Sequence, residues 1–410
     1  MPYLCGRIRH DFTMEMEKCA RMSSFTNVEK RRFRVLVVIV AISGFSQGML
    51  LPLISVIFEK DGVSSALNGL NATGLYIGTL LISPFMEAPL RRFGFKPIIV
   101  IGGLFVFCSL LLFPLWKSMV FWFVLRLIIG IGDHALHFAS QTWITSFSPK
   151  YRLGRNIAVY GLSFGVGFAA GPLFVPLVNV FEGLPFIVSG VLCMLAWSLI
   201  FLLKNEFPDV IKGSAETGFM NRFKTTSAFA WLAFLGPFGY GFLESSLNAI
   251  FPVYALRNGV DVGAVSIMLA TFSIGGIISQ IPLGILSGRI GRRPVFVIAL
   301  GGGATSFFAA SLVESSTLLV LVTFFIAGLF VGSIYSLGIS YMSDLTPTEL
   351  LPTGNLLCGI FFSLGSLSGP FLGGLFLEFE ATFSFLLLIS LFLGTIFIIS
   401  VIKKPKKRLV

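Results

Sequence analysis

Charge is scarce in this chain. Lysine, arginine, aspartate and glutamate make up 12% of its 410 residues, against about 25% in an ordinary soluble domain. So little charge cannot cover a water-exposed globule, which excludes a soluble enzyme. Cysteine is sparse too. The five, at 5, 19, 108, 193 and 358, show no paired spacing, which excludes a thiolate metal centre. The three within apolar stretches read as packing residues. No glycine is followed by lysine, so the chain lacks a phosphate-cradling loop and with it an ATP-driven pump. No cofactor or metal motif is present. Strict alternation of apolar and polar residues is also missing, which argues against a membrane β-barrel.

Apolar residues are abundant, at 55%, and come in long continuous runs. A bilayer-spanning helix needs about 20 such residues. The runs divide into twelve expected spans: 33–58, 67–90, 97–116, 119–144, 156–180, 184–203, 228–256, 265–288, 294–313, 317–342, 353–377 and 382–402. The expected architecture is an all-α membrane protein with a tail at 1–32, six helices over 33–203, a linker at 204–227, six more helices over 228–402 and a basic tail at 403–410. The net charge of +11 follows this division rather than marking a nucleic-acid partner. Basic residues crowd alternate connections, from Lys30–Arg34 through Arg91, Arg92 and Lys96 to Lys403–Arg408. The other connections carry only Lys60, Lys117 and Arg257. The positive-inside rule then puts both termini in the cytoplasm. The first apolar run is too long for a cleavable signal, and Met22 reads as an alternative start.

The fourth span holds the densest polar chemistry: Arg126, Gly130, Gly132, Asp133, His134 and His137. At about 100° per residue, Arg126, Asp133 and His137 form one stripe, while His134 falls about 80° off it and reads as packing. A charge at the bilayer centre costs about 2.5–3.5 kcal/mol even on a lenient scale, so the stripe must face protein or a wet cavity. The seventh span is the second polar centre, with Gly236, Pro237, Gly239, Tyr240, Gly241, Glu244 and Asn248. Its glycines and proline predict a broken helix before a buried carboxylate. Counting residues at 1.5 Å each from the outer end puts Glu244 about 18 Å deep and Asp133 about 21 Å deep.

A carboxylate in apolar surroundings holds a proton more readily than one in water. Glu244 and Asp133 are therefore the candidate proton carriers. His137, four residues from Asp133, can touch and tune it. Arg126 either balances charge or holds an anionic group of a substrate. A permanent salt bridge locking spans together accounts for the same charges. Gln47, the only amide of the first span, is either a cavity residue or an interhelical hydrogen bond. Tyr240, Phe242 and Tyr335 can line a pocket for an apolar or amphipathic solute.

Three landmarks recur at nearly one offset. Gly94 and Gly291 stand 197 apart within similar basic turns (Arg92, Gly94 and Lys96; Arg289, Gly291, Arg292 and Arg293). Gly171 and Gly369 stand 198 apart, and Pro52 and Pro252 stand 200 apart. They indicate a duplicated six-span unit. Gly167, Gly171 and Pro172, matched by Gly365, Gly369 and Pro370, combine close helix packing with a lost backbone donor. That combination suits a helix that rocks, and static close packing explains it equally well.

With these landmarks the chain resembles the major facilitator superfamily from about residue 30 onward, and within it bacterial drug/proton antiporter-like members. The basic turn is close to the family pattern in the second copy. In the first, Glu87 stands for the opening glycine and Arg91 for the usual acid, and Gly288 replaces that acid in the second. Arg126, Gly130 and Gly132 match the span-4 motif. Gly167, Gly171 and Pro172 look like the antiporter motif, with Val175 and Pro176 where glycines are usual. The resemblance implies two pseudo-symmetric bundles in the plasma membrane, a bacterial inner membrane. It implies alternating access, and gating contacts at the basic turns. The resulting expectation is a monomeric, proton-coupled exporter of a small organic solute, its partners being that solute, protons and the bilayer. A sugar or lipid-linked carrier working by uptake or flipping, and a receptor or scaffold that no longer transports, remain alternatives.

Overall fold

The computed structural model describes residues 27–208, 219–347, 350–379 and 383–403. Met22, the middle of the 204–227 linker and the basic residues after Lys403 lie outside them. The described chain forms fifteen α-helices. The first unit has α1 (Asn27–Lys60), α2 (Ser65–Ile82), the short α3 (Glu87–Phe93), α4 (Phe95–Leu112), α5 (Met119–Phe147), α6 (Lys150–Ala170) and α7 (Leu184–Ser198). The second has α8 (Phe219–Ala249), the short α9 (Phe251–Arg257), α10 (Val262–Ile290), α11 (Arg292–Leu312), α12 (Thr317–Val331), α13 (Ile334–Leu345), α14 (Leu351–Phe379) and α15 (Phe385–Ile402). Each of the twelve expected spans is helical. Ten helical segments among the described residues are long and apolar enough to cross a membrane.

The duplication reappears in backbone geometry. Left-handed glycines occur as two pairs, each 197 apart: Gly62 (φ 71°) with Gly259 (φ 77°), and Gly94 (φ 83°) with Gly291 (φ 97°). The first pair precedes helix caps. Ser64 Oγ accepts from Leu67 N at 3.3 Å, and Asp261 Oδ1 accepts from Gly263 N at 2.8 Å. Such caps satisfy backbone donors that the first helical turn leaves free. Packing repeats as well. α1 lies on α6 as α8 lies on α14, α2 on α5 as α10 on α12, and α4 on α7 as α11 on α15. The two units meet along α2–α14 and along α10 with α6 and its extension.

Glycine sets the closest approaches. A Cβ on Gly167 would strike the Ala41 carbonyl and one on Gly171 the Phe45 carbonyl. Those on Gly44 and Gly48 of α1 would strike Phe164 and Phe168 of α6. In the second unit Gly365 and Gly369 press in the same way on Phe238 and Phe242. The two motifs diverge after that. Beyond Gly171 the chain tightens to a 3-10 run, Gly171–Asn179, where Pro172 and Pro176 withhold two donors from the α-helical ladder. Pro370 instead lies inside an unbroken α14.

Three expectations need correction. The second span ends at Ile82, short of residue 90. Pro84 turns the chain into a 3-10 segment, and α3 follows with Leu90 buried beneath exposed Arg91 and Arg92. The seventh span is not broken before Glu244. α8 runs unbroken through Gly236, Pro237, Gly239, Gly241 and Glu244, and the interruption falls at Ile250, ahead of Pro252. Its glycines serve close packing: Gly236 on Gly338 of α13, Gly241 on the Phe362 carbonyl of α14. The tenth span, expected to be continuous, divides at Gly332 and Ser333 into α12 and α13.

Candidate functional site

The polar chemistry gathers in two centres. The first joins α5 to α1 and α6. The Asp133 carboxylate accepts hydrogen bonds from Ser43 Oγ and from Gln47 Nε2, one on each oxygen. His137 Nε2 stands 3.6 Å from Asp133 Oδ2 and 3.2 Å from Ser43 Oγ. Its other nitrogen, Nδ1, is 2.8 Å from the Tyr160 hydroxyl. The side chains of Asp133 and His137 keep 13% and 22% of their surface exposed, so water reaches a carboxylate that protein otherwise holds. Gln47 makes an interhelical hydrogen bond and stays partly exposed. The glycine contacts of α1 with α6 and the i, i+4 spacing of Asp133 and His137 place all five groups together. His134 stacks beside Phe138, ring centroids 6.4 Å apart.

Arg126 is not part of that centre, so the expected single stripe divides. Gly130 brings α5 so near α2 that a Cβ there would strike the Leu75 carbonyl. One turn earlier, Arg126 falls near Tyr76. Arg126 is fully buried. Its Nε, NH1 and NH2 are sealed from water and have no hydrogen-bond partner among the described residues.

Glu244 of α8 anchors the second centre. Its charge is felt by Tyr240 on the same helix, by Tyr335 of α13 and, across the units, by Tyr76. Tyr240 and Tyr335 have ring centroids 6.3 Å apart, and Phe362 of α14 lies 5.3 Å from Tyr335. Asn248 Nδ2 donates to the Glu244 carbonyl at 2.8 Å. Phe242 belongs elsewhere, stacked on Phe392 at 3.8 Å. Tyr76 of one unit thus lies within electrostatic range of Glu244 of the other.

Among the described residues, polar contacts between the units cluster at one end. Away from the termini, Arg257 grips Glu59, Ser65 N donates to Glu378 Oε2 at 3.0 Å, and Gly69 abuts the Pro370 carbonyl. At the end carrying the termini, a Cβ on Gly161, Gly284, Gly288 or Gly359 would meet nothing within 4 Å. α10 is mostly buried from Val262 to Leu269 and mostly exposed from Gln280 to Ile290.

The basic turns act as helix caps. Lys96 Nζ donates to the Leu203 carbonyl at 2.7 Å, and Arg293 NH2 to the Ser400, Val401 and Lys403 carbonyls at 2.9–3.0 Å. Each neutralises the negative end of the last helix in its unit. The acids missing from the turns arrive from other segments. Asp344, at the end of α13, lies 3.7 Å from Arg292 Nε. Glu206, from the linker, pairs with Arg32 and accepts from Trp143 Nε1 at 2.9 Å. Its carbonyl takes the Phe95 N–H at 2.9 Å, beside Gly94. Arg92 lies over the Phe93 ring, and Arg289 is exposed. Tyr76, Ser43, Tyr160, Glu59 and Glu206 were not singled out from the sequence. Their partners lie on other helices and no local spacing announces them. Only the polarity of Tyr76 and Ser43 inside apolar runs hinted at a role.

Two helical units of repeated packing, with charged groups inside long apolar helices, fit a multi-pass membrane protein. The Major Facilitator Superfamily description matches residues 36–254 and 233–410, and the chain belongs to that family. It is accordingly a transporter of the cell membrane and not an enzyme. It is similar to the uncharacterized MFS-type transporter YfkF of Bacillus subtilis (strain 168), 55% identical over 91% of this chain and 96% of that protein. Multidrug resistance protein 1 of the same organism is 26% identical, over 82% of this chain and 87% of its own. Among solved structures, a bacterial homologue of the human lysosomal transporter Spinster, inward-facing and unoccupied, superposes with a TM-score of 0.71 at 16% identity, covering 92% of this chain and 98% of that one. A point mutant of the nucleoside transporter NupG gives 0.73 at 13% identity, over 90% and 98%.

Proposed function

We propose that this chain exports a small organic solute in exchange for protons, by alternating access. The units 33–203 and 228–402 would form two bundles of six crossings each, joined by the 204–227 linker, with both termini cytoplasmic. The described state would then open to the cytoplasm. One observation carries the reading: among the described residues the units clasp each other at one end, while the carboxylates Asp133 and Glu244 stand partly exposed inside apolar helices. Export rather than uptake rests on the Gly167–Pro172 motif and on the distant multidrug-resistance relatives.

In this reading a proton on Asp133 removes its charge and turns one of the two oxygens that hold Ser43 and Gln47 into a donor. Protonation loosens α5 from α1, and the glycine-lined contacts of α1 with α6 and of α8 with α14 let the bundles rock without leaking. His137, held at Nδ1 by Tyr160, orients its Nε2 toward Asp133. Glu244, with no side-chain hydrogen bond among the described residues, is the group that solute and proton share. Purified protein in liposomes tests this. An imposed pH gradient should drive solute movement with counterflow of protons, and Glu244→Gln and Asp133→Asn should each abolish proton flux while preserving the folded yield. A receptor or scaffold would move neither.

A further inference from the structure

The chain buries two arginines and treats them differently. Arg32 is paired with Glu206 and lies over Trp143 and Phe147, 5.3 and 5.0 Å from their ring centroids. Arg126 is buried completely, and none of its three guanidinium nitrogens finds an acceptor among the described residues. Removing a cation from water without a partner costs several kcal/mol, so a fold that keeps one leaves a receptor waiting for an anion. The nearby acids do not supply it. Asp133 is taken by Ser43 and Gln47, and no ion pair joins Arg126 to Glu244. Glu244 is itself unpaired among the described residues. Left without a charged partner among the described residues are therefore Arg126, near Tyr76, in one unit and Glu244, near Tyr240 and Tyr335, in the other.

We infer that the transported solute is a zwitterion with a planar or aromatic body, its carboxylate forked onto Arg126 and its ammonium held by Glu244 and the rings around it. Arginine presents paired donors that match a carboxylate. Aromatic faces attract a cation within about 6 Å. A solute carrying both charges satisfies both orphans at once and ties one bundle to the other. An anion alone would bring negative charge toward Glu244 and favour its protonated form, which opposes exchange. A cation alone would leave Arg126 unmet. The ammonium and the proton compete for Glu244, as exchange requires. This inference rests on the transport reading and adds the chemical class of the solute.

The test is equilibrium binding to the full-length protein in nanodiscs, read as thermal stabilisation without a pH gradient. Three probes share one skeleton: L-tryptophan, tryptamine, which lacks the carboxylate, and indole-3-propionate, which lacks the amine. L-Tryptophan should bind at least about tenfold more tightly than either, the worth of one charge-assisted hydrogen bond. Arg126→Gln should reduce it to the affinity of tryptamine. Arg126→Lys, which keeps the charge and is less disruptive to folding, should weaken L-tryptophan and indole-3-propionate but not tryptamine. Glu244→Gln should weaken L-tryptophan and tryptamine only. Equal binding of all three, absence of binding by all three, or tryptamine loss in Arg126→Lys overturns the inference. So does a double variant Arg126→Gln/Glu244→Gln more stable than either single one, the mark of a direct pair between them. Proton flux is measured separately, so its loss in Glu244→Gln liposomes without probe discrimination rejects the zwitterion alone.

Discussion

Arg257 and Glu59 clasp each other across the two units. Nε reaches Oε1 at 2.7 Å and NH2 reaches Oε2 at 3.2 Å, between residues 198 positions apart. The pair joins the end of the first helix of one unit to the end of α9 in the other. A third donor, NH1, reaches the Leu377 carbonyl at 3.3 Å.

Breaking this pair should open the end of the molecule opposite the termini. Arg257 and Glu59 keep 39% and 17% of their side-chain surface exposed, and salt screens such pairs. Its worth is therefore about 1 kcal/mol. Glu59→Gln should raise the population open at that end several-fold, read as faster maleimide labelling of a cysteine introduced at Ala72. Wild-type labelling should rise with salt, and the variant's should not. Identical rates in both proteins at low salt would show that the pair does not hold the units together.

The two basic turns predict an asymmetry. Gly94 (φ 83°, ψ −178°) and Gly291 (φ 97°, ψ 155°) occupy backbone that side chains rarely adopt, at a cost of about 1–3 kcal/mol for alanine. A Cβ on Gly291 meets only Pro294 Cδ at 3.6 Å, whereas one on Gly94 comes within 2.6 Å of the Glu206 carbonyl. Both alanine variants should melt earlier than wild type, Gly94→Ala by the larger margin. Equal melting temperatures would mean the linker contact is not part of the stable fold.

The Asp133 centre can be tested without transport. Gln47→Leu leaves one carboxylate oxygen without its donor, which costs about 1–3 kcal/mol. Asp133→Asn carries no charge and needs that donor less. In a double-mutant cycle the pair should be less damaging than the sum of the singles, with a coupling above about 1 kcal/mol. Strict additivity in denaturation midpoints would separate Gln47 from Asp133.

The long apolar helices, their duplication and the glycine contacts were legible because each rests on a local signal: a long apolar run, a fixed offset, a small residue at four-residue spacing. The division of Arg126 from Asp133 was not. A helical projection tells which face two residues share, and α5 presents that face to α2 at one level and to α1 at another. The misplaced break in α8 has a similar cause. Gly236, Gly239 and Gly241 permit an unwound turn and also permit a close neighbour, and only the presence of α13 and α14 decides. Charge pairs such as Glu59 with Arg257, between positions far apart in the chain, carry no sequence mark until the fold brings them together.

Glu206 offers the last prediction, because it joins the linker to the first unit by three routes: the ion pair with Arg32, the indole N–H of Trp143 and the backbone N–H of Phe95. Glu206→Gln retains a carbonyl for the indole and loses the charge that answers Arg32. Glu206→Ala loses both side-chain partners. Breaking a buried pair costs about 3–5 kcal/mol. Glu206 is 40% exposed and Arg32 only 9%, so solvent screening reduces this to about 1–2 kcal/mol. Both variants should be destabilised, alanine more than glutamine. Trp143 emission, read against Trp143→Phe, should shift with alanine and stay with glutamine. A glutamine variant as stable as wild type would assign the anchoring to the Phe95 and Trp143 hydrogen bonds and remove Arg32 from it.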